Sequence, residues 1–279
     1  MPDEFLIKFW GVRGTLPVPG KDTLQYGGNT SCVEVNCAGR NIVFDAGTGI
    51  CELGKITKNF HTDILLSHTH LDHIQGLPFY GPLHKPGSNV ALWAGHLKPH
   101  ANVEEVMGHI MSSPVFPLTL KDVQSRVEFN DFLAGEELVN AGLNNVGIVV
   151  KTFLLNHPDR ATAYRLIYKN KSVCYVTDVE HKIGEVDVKL AEFIKGADLL
   201  IYDCTYDDEE FNNYVGWGHS TWQQGVRLAD AADVKKLAVF HHDPKATDAI
   251  LDARAKKLEE MRPGKAFIAK EGFILDLLK

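Results

Sequence analysis

The sequence predicts a layered α/β fold, on three observations. Short apolar runs of strand length dominate as far as Thr177, whereas regular helical spacing sets in only from Val186 onward. Several of those runs end on histidine or aspartate. The chain has 279 residues, an ordinary size for one layered domain with an extensive core. No linker or low-complexity tract interrupts it, so a single domain over 1–279 is expected.

Taken in order, residues 5–10 form an apolar run that stops at Gly11 and reads as a strand. A loop follows, punctuated by Pro17, Pro19, Gly20, Gly27 and Gly28. Residues 33–36 alternate and 41–45 are apolar, with Ala38-Gly39-Arg40 as the turn between them, so this region is a meander. A short helix over 50–56 precedes the buried strand Ile64-Leu65-Leu66. Six prolines punctuate 78–124, with one strand (90–93) and one helix (103–111) inside it; the segment is expected to be a surface or lid insertion, or else a plain surface connection. Strands resume at 127–129, 147–155, 163–168 and 172–177. Val186, Val188, Leu190, Phe193 and Ile194 are spaced as the buried stripe of a helix. A strand over 199–203, a helix over 221–232, a strand over 237–241, a helix over 248–261 and two short strands complete the chain.

With 44% hydrophobic and 23% charged residues, the composition is that of a water-soluble protein. The net charge of −7 supplies no global basic field, which argues against long nucleic acids as the main ligand. Five cysteines without a CxxC pair, mostly within apolar runs, fit buried free thiols and a reducing cytoplasm. The acidic start Met1-Pro2-Asp3-Glu4 lacks a cationic segment followed by an apolar core, so neither a signal peptide nor a membrane association is expected.

The chemistry concentrates in Ser67-His68-Thr69-His70-Leu71-Asp72-His73, directly after the 64–66 strand. Imidazole and carboxylate suit zinc, and also iron or manganese. Three histidines and an aspartate exceed what one tetrahedral site needs while still holding a water, so two neighbouring divalent ions are expected, with further ligands downstream. Later strand ends supply them: Asn156-His157-Pro158, Thr177-Asp178 and His241-His242-Asp243. In layered sheets that edge is where sites assemble. Six of the thirteen histidines lie in these segments and a seventh, His219, lies in a turn described below.

His68-x-His70-x-Asp72-His73, followed by His157, Asp178 and His241, resembles the metallo-β-lactamase superfamily in residue set and order. The resemblance implies a four-layer αββα sandwich with a dinuclear site at one edge of its two sheets. It implies His68, His70 and His157 on one metal, Asp72, His73 and His241 on the other, and Asp178 bridging. Whether His241 or His242 is the ligand stays open, although the end of the apolar strand favours His241. Redox di-iron members carry Glu where His70 stands, and zinc β-lactamases lack the Asp72-His73 pair or use Cys where Asp178 stands. Oxygen reduction and β-lactam hydrolysis are therefore not expected.

The stretch from Ala197 to Tyr206, followed by Gly218-His219-Ser220-Thr221, is similar to the ribonuclease Z and cyclic phosphodiesterase branch. This implies an Asp203/His219 pair on the leaving-group side of a phosphate, with Asp72, Asp203 and His219 as catalytic residues and a metal-bound hydroxide as nucleophile. His219 also reads as a helix-start residue beside the Ser220/Thr221 cap. Residues 9–15 and 27–32 look like a bacterial phosphodiesterase-like subgroup, with Arg13 a weak phosphate-binding candidate. Asp178 lies only 21 positions after His157 and two strands occupy the interval, which leaves no room there for the tRNA-gripping arm that the branch's ribonucleases insert. The expected substrate is a small cyclic phosphodiester, either a cyclic nucleotide or a phosphoribosyl cyclic phosphate. A lactonase or thioesterase, an RNA nuclease and a metal-stabilised binding protein are the competing readings. The exposed faces do not specify an oligomeric state, and a homodimer is compatible with them.

Overall fold

Alternation along the strands sorts the apolar residues into three separate clusters, and those clusters define four layers. On Arg40–Phe44, Ile42 and Phe44 face one cluster while Val43 faces another; on Leu199–Asp203, Leu199 and Ile201 face the first while Leu200 and Tyr202 face a third. Each sheet is thus apolar on both faces, which requires a covering layer on its outer side. The computed structural model describes residues 3–58, 60–138 and 144–279; Met1 and Pro2, part of the expected acidic start, lie outside them.

The first sheet is built from β1 (Phe5–Gly11), β2 (Cys32–Cys37), β3 (Arg40–Phe44), β4 (His61–Leu66), β5 (Asn89–Ala94) and β6 (Arg126–Asp131), with α1 (Gly49–Ile56), α2 (Leu71–Ile74) and α3 (Val103–Ile110) between them. The second contains β7 (Val149–Leu155), β8 (Ala161–Tyr168), β9 (Lys171–Val176), β10 (Leu199–Asp203), β11 (Lys236–Phe240) and β12 (Ala266–Ile268), with α4 (Val188–Ile194), α5 (Asp208–Phe211), α6 (Trp222–Ala231) and α7 (Asp248–Met261). The last strand, β13 (Ile274–Asp276), crosses back to pair with β1. The strand orders are β13-β1-β2-β3-β4-β5-β6 and β12-β11-β10-β9-β8-β7. One cluster fills the space between the sheets, a second lies under α1 and α3, and a third under α4, α6 and α7. This is the αββα sandwich of the metallo-β-lactamase fold.

The direction of the strands makes a site at one edge. The pairs β3–β4, β4–β5 and β5–β6 are parallel, as are β9–β10, β10–β11 and β11–β12. The β1–β2–β3 meander and the β7–β8–β9 meander are antiparallel, so β1 and β7 run the same way as β3 and β9. The carboxyl ends of β1, β3, β4, β5 and β6, and those of β7, β9, β10, β11 and β12, therefore lie at a common edge of their sheet, with β2 and β8 running the other way.

The segment 78–124, expected as a surface or lid insertion, is divided. Its middle is β5, an interior strand hydrogen-bonded to both β4 and β6, with Val90, Ala91, Leu92 and Ala94 buried. Its prolines fall in the turns on either side, which is why the apolar run between them is free to enter the ladder. Of its large apolar side chains, Phe79, Val115 and Leu118 are exposed. The one-turn helix α5 has no counterpart in the sequence reading. All five cysteines are free, four of them buried, and among the described residues no helix is long and apolar enough to cross a membrane.

Candidate metal centre

Strand β4 ends at Leu66, and the metal-type residues begin two positions later. His70 is extended (φ −64°, ψ 153°) and the chain then enters α2, which turns Asp72 and His73 back toward His68. Asp178 and His241 follow β9 and β11, and both adopt left-handed backbone, with φ of 56° and 58°. Asp45, after β3, does the same at 59°. Such conformations are uncommon for residues with a Cβ and cluster where a site over-determines the backbone.

These strand ends bring His68, His70 and His157 together as one group able to hold an ion, and Asp72, His73 and His241 as a second. Asp178 stands between them. Its Oδ1 lies 3.8 Å from His68 Nε2 and 3.9 Å from His157 Nε2, while its Oδ2 lies 3.2 Å from His73 Nε2 and 3.3 Å from His241 Nε2. One carboxylate thus faces both groups with a different oxygen. Asp72 Oδ2 is 3.1 Å from His73 Nε2 and 3.3 Å from His241 Nε2, and accepts the backbone N–H of Thr15 at 2.7 Å.

The other ring nitrogens explain why these point inward. His73 Nδ1 donates to Asp45 at 2.8 Å, and Asp45 also accepts from Ser67 N, Ser67 Oγ and Tyr175 Oη. His157 Nδ1 donates to the Gly218 carbonyl at 2.7 Å. His241 Nδ1 meets Thr205 Oγ1 at 3.1 Å, and that hydroxyl lies 2.7 Å from Asp203 Oδ1. With Nδ1 donating, each neutral ring turns a lone pair at Nε2 toward the centre. Yet His73 Nε2 and His241 Nε2 are 3.4 Å apart, and His157 Nε2 is 3.2 Å from His70 Nδ1. Lone pairs converging in this way need a cation between them or extra protons. His68 Nε2 is buried and makes no hydrogen bond among the described residues. This donor set of five imidazoles and two carboxylates fits a pair of divalent ions.

The electrostatics agree. Burial works against ionised Asp178, but His241, His73 and His68 outweigh it and hold its pKa well below the usual carboxylate range. His68 is pushed well below the ordinary imidazole value, first by burial and then by His73. Burial pulls His73 down, but Asp72, Asp178 and Asp45 raise it far above. A cation would take over the role of that proton.

His219 sits at the rim. Its Nδ1 is 3.0 Å from Asp203 Oδ2 and 3.7 Å from Asp178 Oδ1, its ring stacks on His241 at 5.0 Å, and its Nε2 makes no hydrogen bond among the described residues. The helix-start role belongs to Thr221, whose side chain accepts the Gln224 N–H. Burial lowers the His219 pKa, but Asp203, with Asp178 and Asp72, raises it to about 9.

Two open points in the sequence reading are decided by position. His242 turns away from the cluster: its Nε2 donates to the Ala269 carbonyl at 2.8 Å and burial lowers its pKa to about 3, so His241 alone of the two faces the centre. Arg13, the weak phosphate candidate, is fully buried; its Nε and Nη1 donate to the carbonyls of Gly27, Asp243 and Ala246 and tie three loops together, while Nη2 is buried without a hydrogen-bond partner among the described residues. The adjoining residues are closer to the chemistry. A Cβ on Gly14 would lie 2.2 Å from the His241 ring, so that glycine is the seat of the imidazole. Asp45, Thr205, Gly14 and Thr15 were not singled out from the sequence; for Asp45 a signal was present, since it too ends an apolar run.

The family model for the beta-lactamase superfamily domain matches residues 40–242. This chain belongs to that superfamily. It is a metal-dependent hydrolase. Ribonuclease Z of Clostridium tetani (strain Massachusetts / E88) is 24% identical over 295 aligned residues, covering 87% of this chain and 89% of that protein. Among solved structures, the metallo-β-lactamase-fold protein YhfI from Bacillus subtilis superposes with a TM-score of 0.73 at 18% identity, over 99% of this chain and all of that one (100%). A diphosphatase of the PhnP family gives a TM-score of 0.70 at 19% identity, covering 98% and 97% of the two chains. These two likenesses concern the fold.

Proposed function

We propose that the chain is a dinuclear phosphodiesterase acting on a small cyclic phosphodiester, a cyclic nucleotide or a phosphoribosyl cyclic phosphate. The observation that carries the reading is the Asp203/His219 pair beside Asp178, with His219 Nε2 making no hydrogen bond among the described residues. Two divalent ions, zinc first among the candidates, held by His68, His70 and His157 on one side, Asp72, His73 and His241 on the other, and Asp178 between, would supply a nucleophile at neutral pH and offset charge on the phosphate oxygens.

The chain's own residues supply the rest. Opening a cyclic phosphodiester expels an alkoxide, which leaves poorly unless protonated. His219 Nε2 carries the proton to it, while Asp203 accepts from Nδ1, orients the ring and makes it more basic. Thr205 couples the same Asp203 to His241, so one carboxylate positions both the acid and a metal-site imidazole. An acyl hydrolase has less need of such an acid.

A second reading, an RNA nuclease, is favoured by the ribonuclease Z of Clostridium tetani, which aligns along 87% of the chain. Against it, β8 and β9 are joined by Lys169 and Asn170 alone, both with positive φ as in a tight hairpin turn, which leaves no RNA-gripping extension at that point. The metal-replete protein should be assayed on cyclic AMP, a bis-aryl phosphodiester, a precursor tRNA, a homoserine lactone and a thioester. Turnover of the first two above the others is expected; turnover of the tRNA alone, or of the lactone or thioester alone, would overturn the reading.

A further inference from the structure

Trp217 is 62% exposed, an unusual placement for so large an apolar ring. Its backbone is nevertheless fixed on both sides. Gly216 and Gly218, with φ of 90° and 84°, donate their N–H groups to the same Glu180 oxygen at 2.7 and 2.9 Å. The Gly218 carbonyl in turn accepts from His157. The turn that displays Trp217 is therefore the turn that orients a metal-site histidine, and it leads directly into His219. Behind it stands an aromatic buttress: Tyr214 meets Trp217 edge to face (5.6 Å, 85°) and stacks flat on Tyr206 (4.1 Å, 5°), whose ring is 6.0 Å from that of His219.

We propose that Trp217, backed by Tyr214, is a stacking platform for a planar nucleobase, so that the substrate is a base-bearing cyclic nucleotide and not a base-free phosphoribosyl cyclic phosphate. The inference rests on the phosphodiesterase reading above and selects between its two substrates. In hydrolysis of a cyclic nucleotide, water's oxygen forms the new bond to phosphorus, releasing one proton to solvent, as the P–O(ribose) bond breaks. The electron pair stays on the ribose oxygen, which takes the proton from His219 Nε2, and His219 is reprotonated from solvent. That oxygen belongs to the same ribose as the base, so the base must lie on the His219 side of the phosphate, and Trp217 is two residues from His219. A phosphoribosyl ring without a base leaves this fixed, exposed indole without a function.

The test compares wild type, Trp217→Ala and Trp217→Phe, each metal-replete. The kcat/KM is measured on cyclic AMP and on methyl riboside cyclic phosphate, which has no base. Binding of adenosine monophosphate and of ribose phosphate is measured by calorimetry. Stacking on an aromatic side chain is worth ~1–3 kcal/mol per base, or roughly 5- to 150-fold. Trp217→Ala should lose that factor on cyclic AMP, mainly in KM, with Trp217→Phe largely restored and the base-free substrate and metal content unchanged. Equal loss on both substrates, or no loss, overturns the proposal. If neither cyclic phosphate is turned over, the phosphodiesterase reading fails and binding decides the platform. A preference for adenosine monophosphate over ribose phosphate that disappears in Trp217→Ala upholds it, and equal binding refutes it.

Discussion

The two halves of the candidate centre are held very differently. Asp72, His73 and His241 are buried, and each has a protein partner behind it: Thr15 N–H for Asp72, Asp45 for His73, and Thr205 with Asp203 for His241. On the other half His157 is braced by Gly218 and His68 by Ser67, but the side chain of His70 is 42% exposed and its outer nitrogen is 3.7 Å from an Asp159 that is itself 91% exposed. Partners behind a ligand fix its tautomer and direction, and their loss typically costs 10–100-fold in affinity. One half is thus built as a rigid socket and the other as a site with one loose wall, open toward the solvent from which substrate arrives.

The largest effect should come from Asp178, which faces both halves. Asp178→Ala should remove both ions, counted by elemental analysis of the purified protein, and lower activity by more than the ~10–100-fold of an outer partner; retention of two equivalents would mean that the halves are independent. Next is Asp45→Asn, which unsettles a buried carboxylate that accepts four hydrogen bonds. It should weaken the Asp72/His73/His241 half by ~10–100-fold, leave the other half closer to wild type, and lower the melting temperature. His70→Ala should do the opposite: one equivalent of metal lost, with stability of the metal-free protein changed by only about 0.5 kcal/mol because the ring is partly solvated. The smallest effect concerns pH. In metal-free protein the His219 pKa is raised to about 9, by Asp203 above all and against the pull of burial, from an ordinary value near 6.5. The stability this adds is full below about 6.5 and is lost as pH rises through about 9. The melting temperature should fall across that window, and His219→Gln should flatten the fall.

The same contrast explains what the sequence revealed. The layered sandwich was legible because the central strands β3, β4, β5, β9, β10 and β11 carry apolar residues on both faces and, like β7, end on a polar turn, so the strand ends carrying His68, His157, Asp178 and His241 could be read in order. The direction of His241 and His242 was not, because a left-handed residue after the strand breaks the alternation on which such a reading relies. The supports of the rigid half were hidden for a different reason: Thr15, Asp45 and Thr205 reach their partners across 57, 28 and 36 residues. Arg13 reaches Ala246 across 233, and an arginine near Gly-rich turns looks like a phosphate ligand until its carbonyl partners are known. In the 78–124 segment the strand and the helix were legible, but not that the strand is an interior one, because its prolines bound that strand without entering it. Trp217 carried no motif at all; only the glycines clamped on either side of it by Glu180 make its exposure informative.

The central claim is that His219 protonates the leaving oxygen of a phosphodiester. Single-turnover hydrolysis of cyclic AMP and of bis(4-nitrophenyl) phosphate by metal-replete wild type and His219→Ala tests it most directly. The account predicts a loss of ~10²–10⁴-fold on cyclic AMP, whose alkoxide needs the proton, and a far smaller loss on the aryl ester, whose phenolate does not. Equal losses on both, with metal content unchanged, would contradict it.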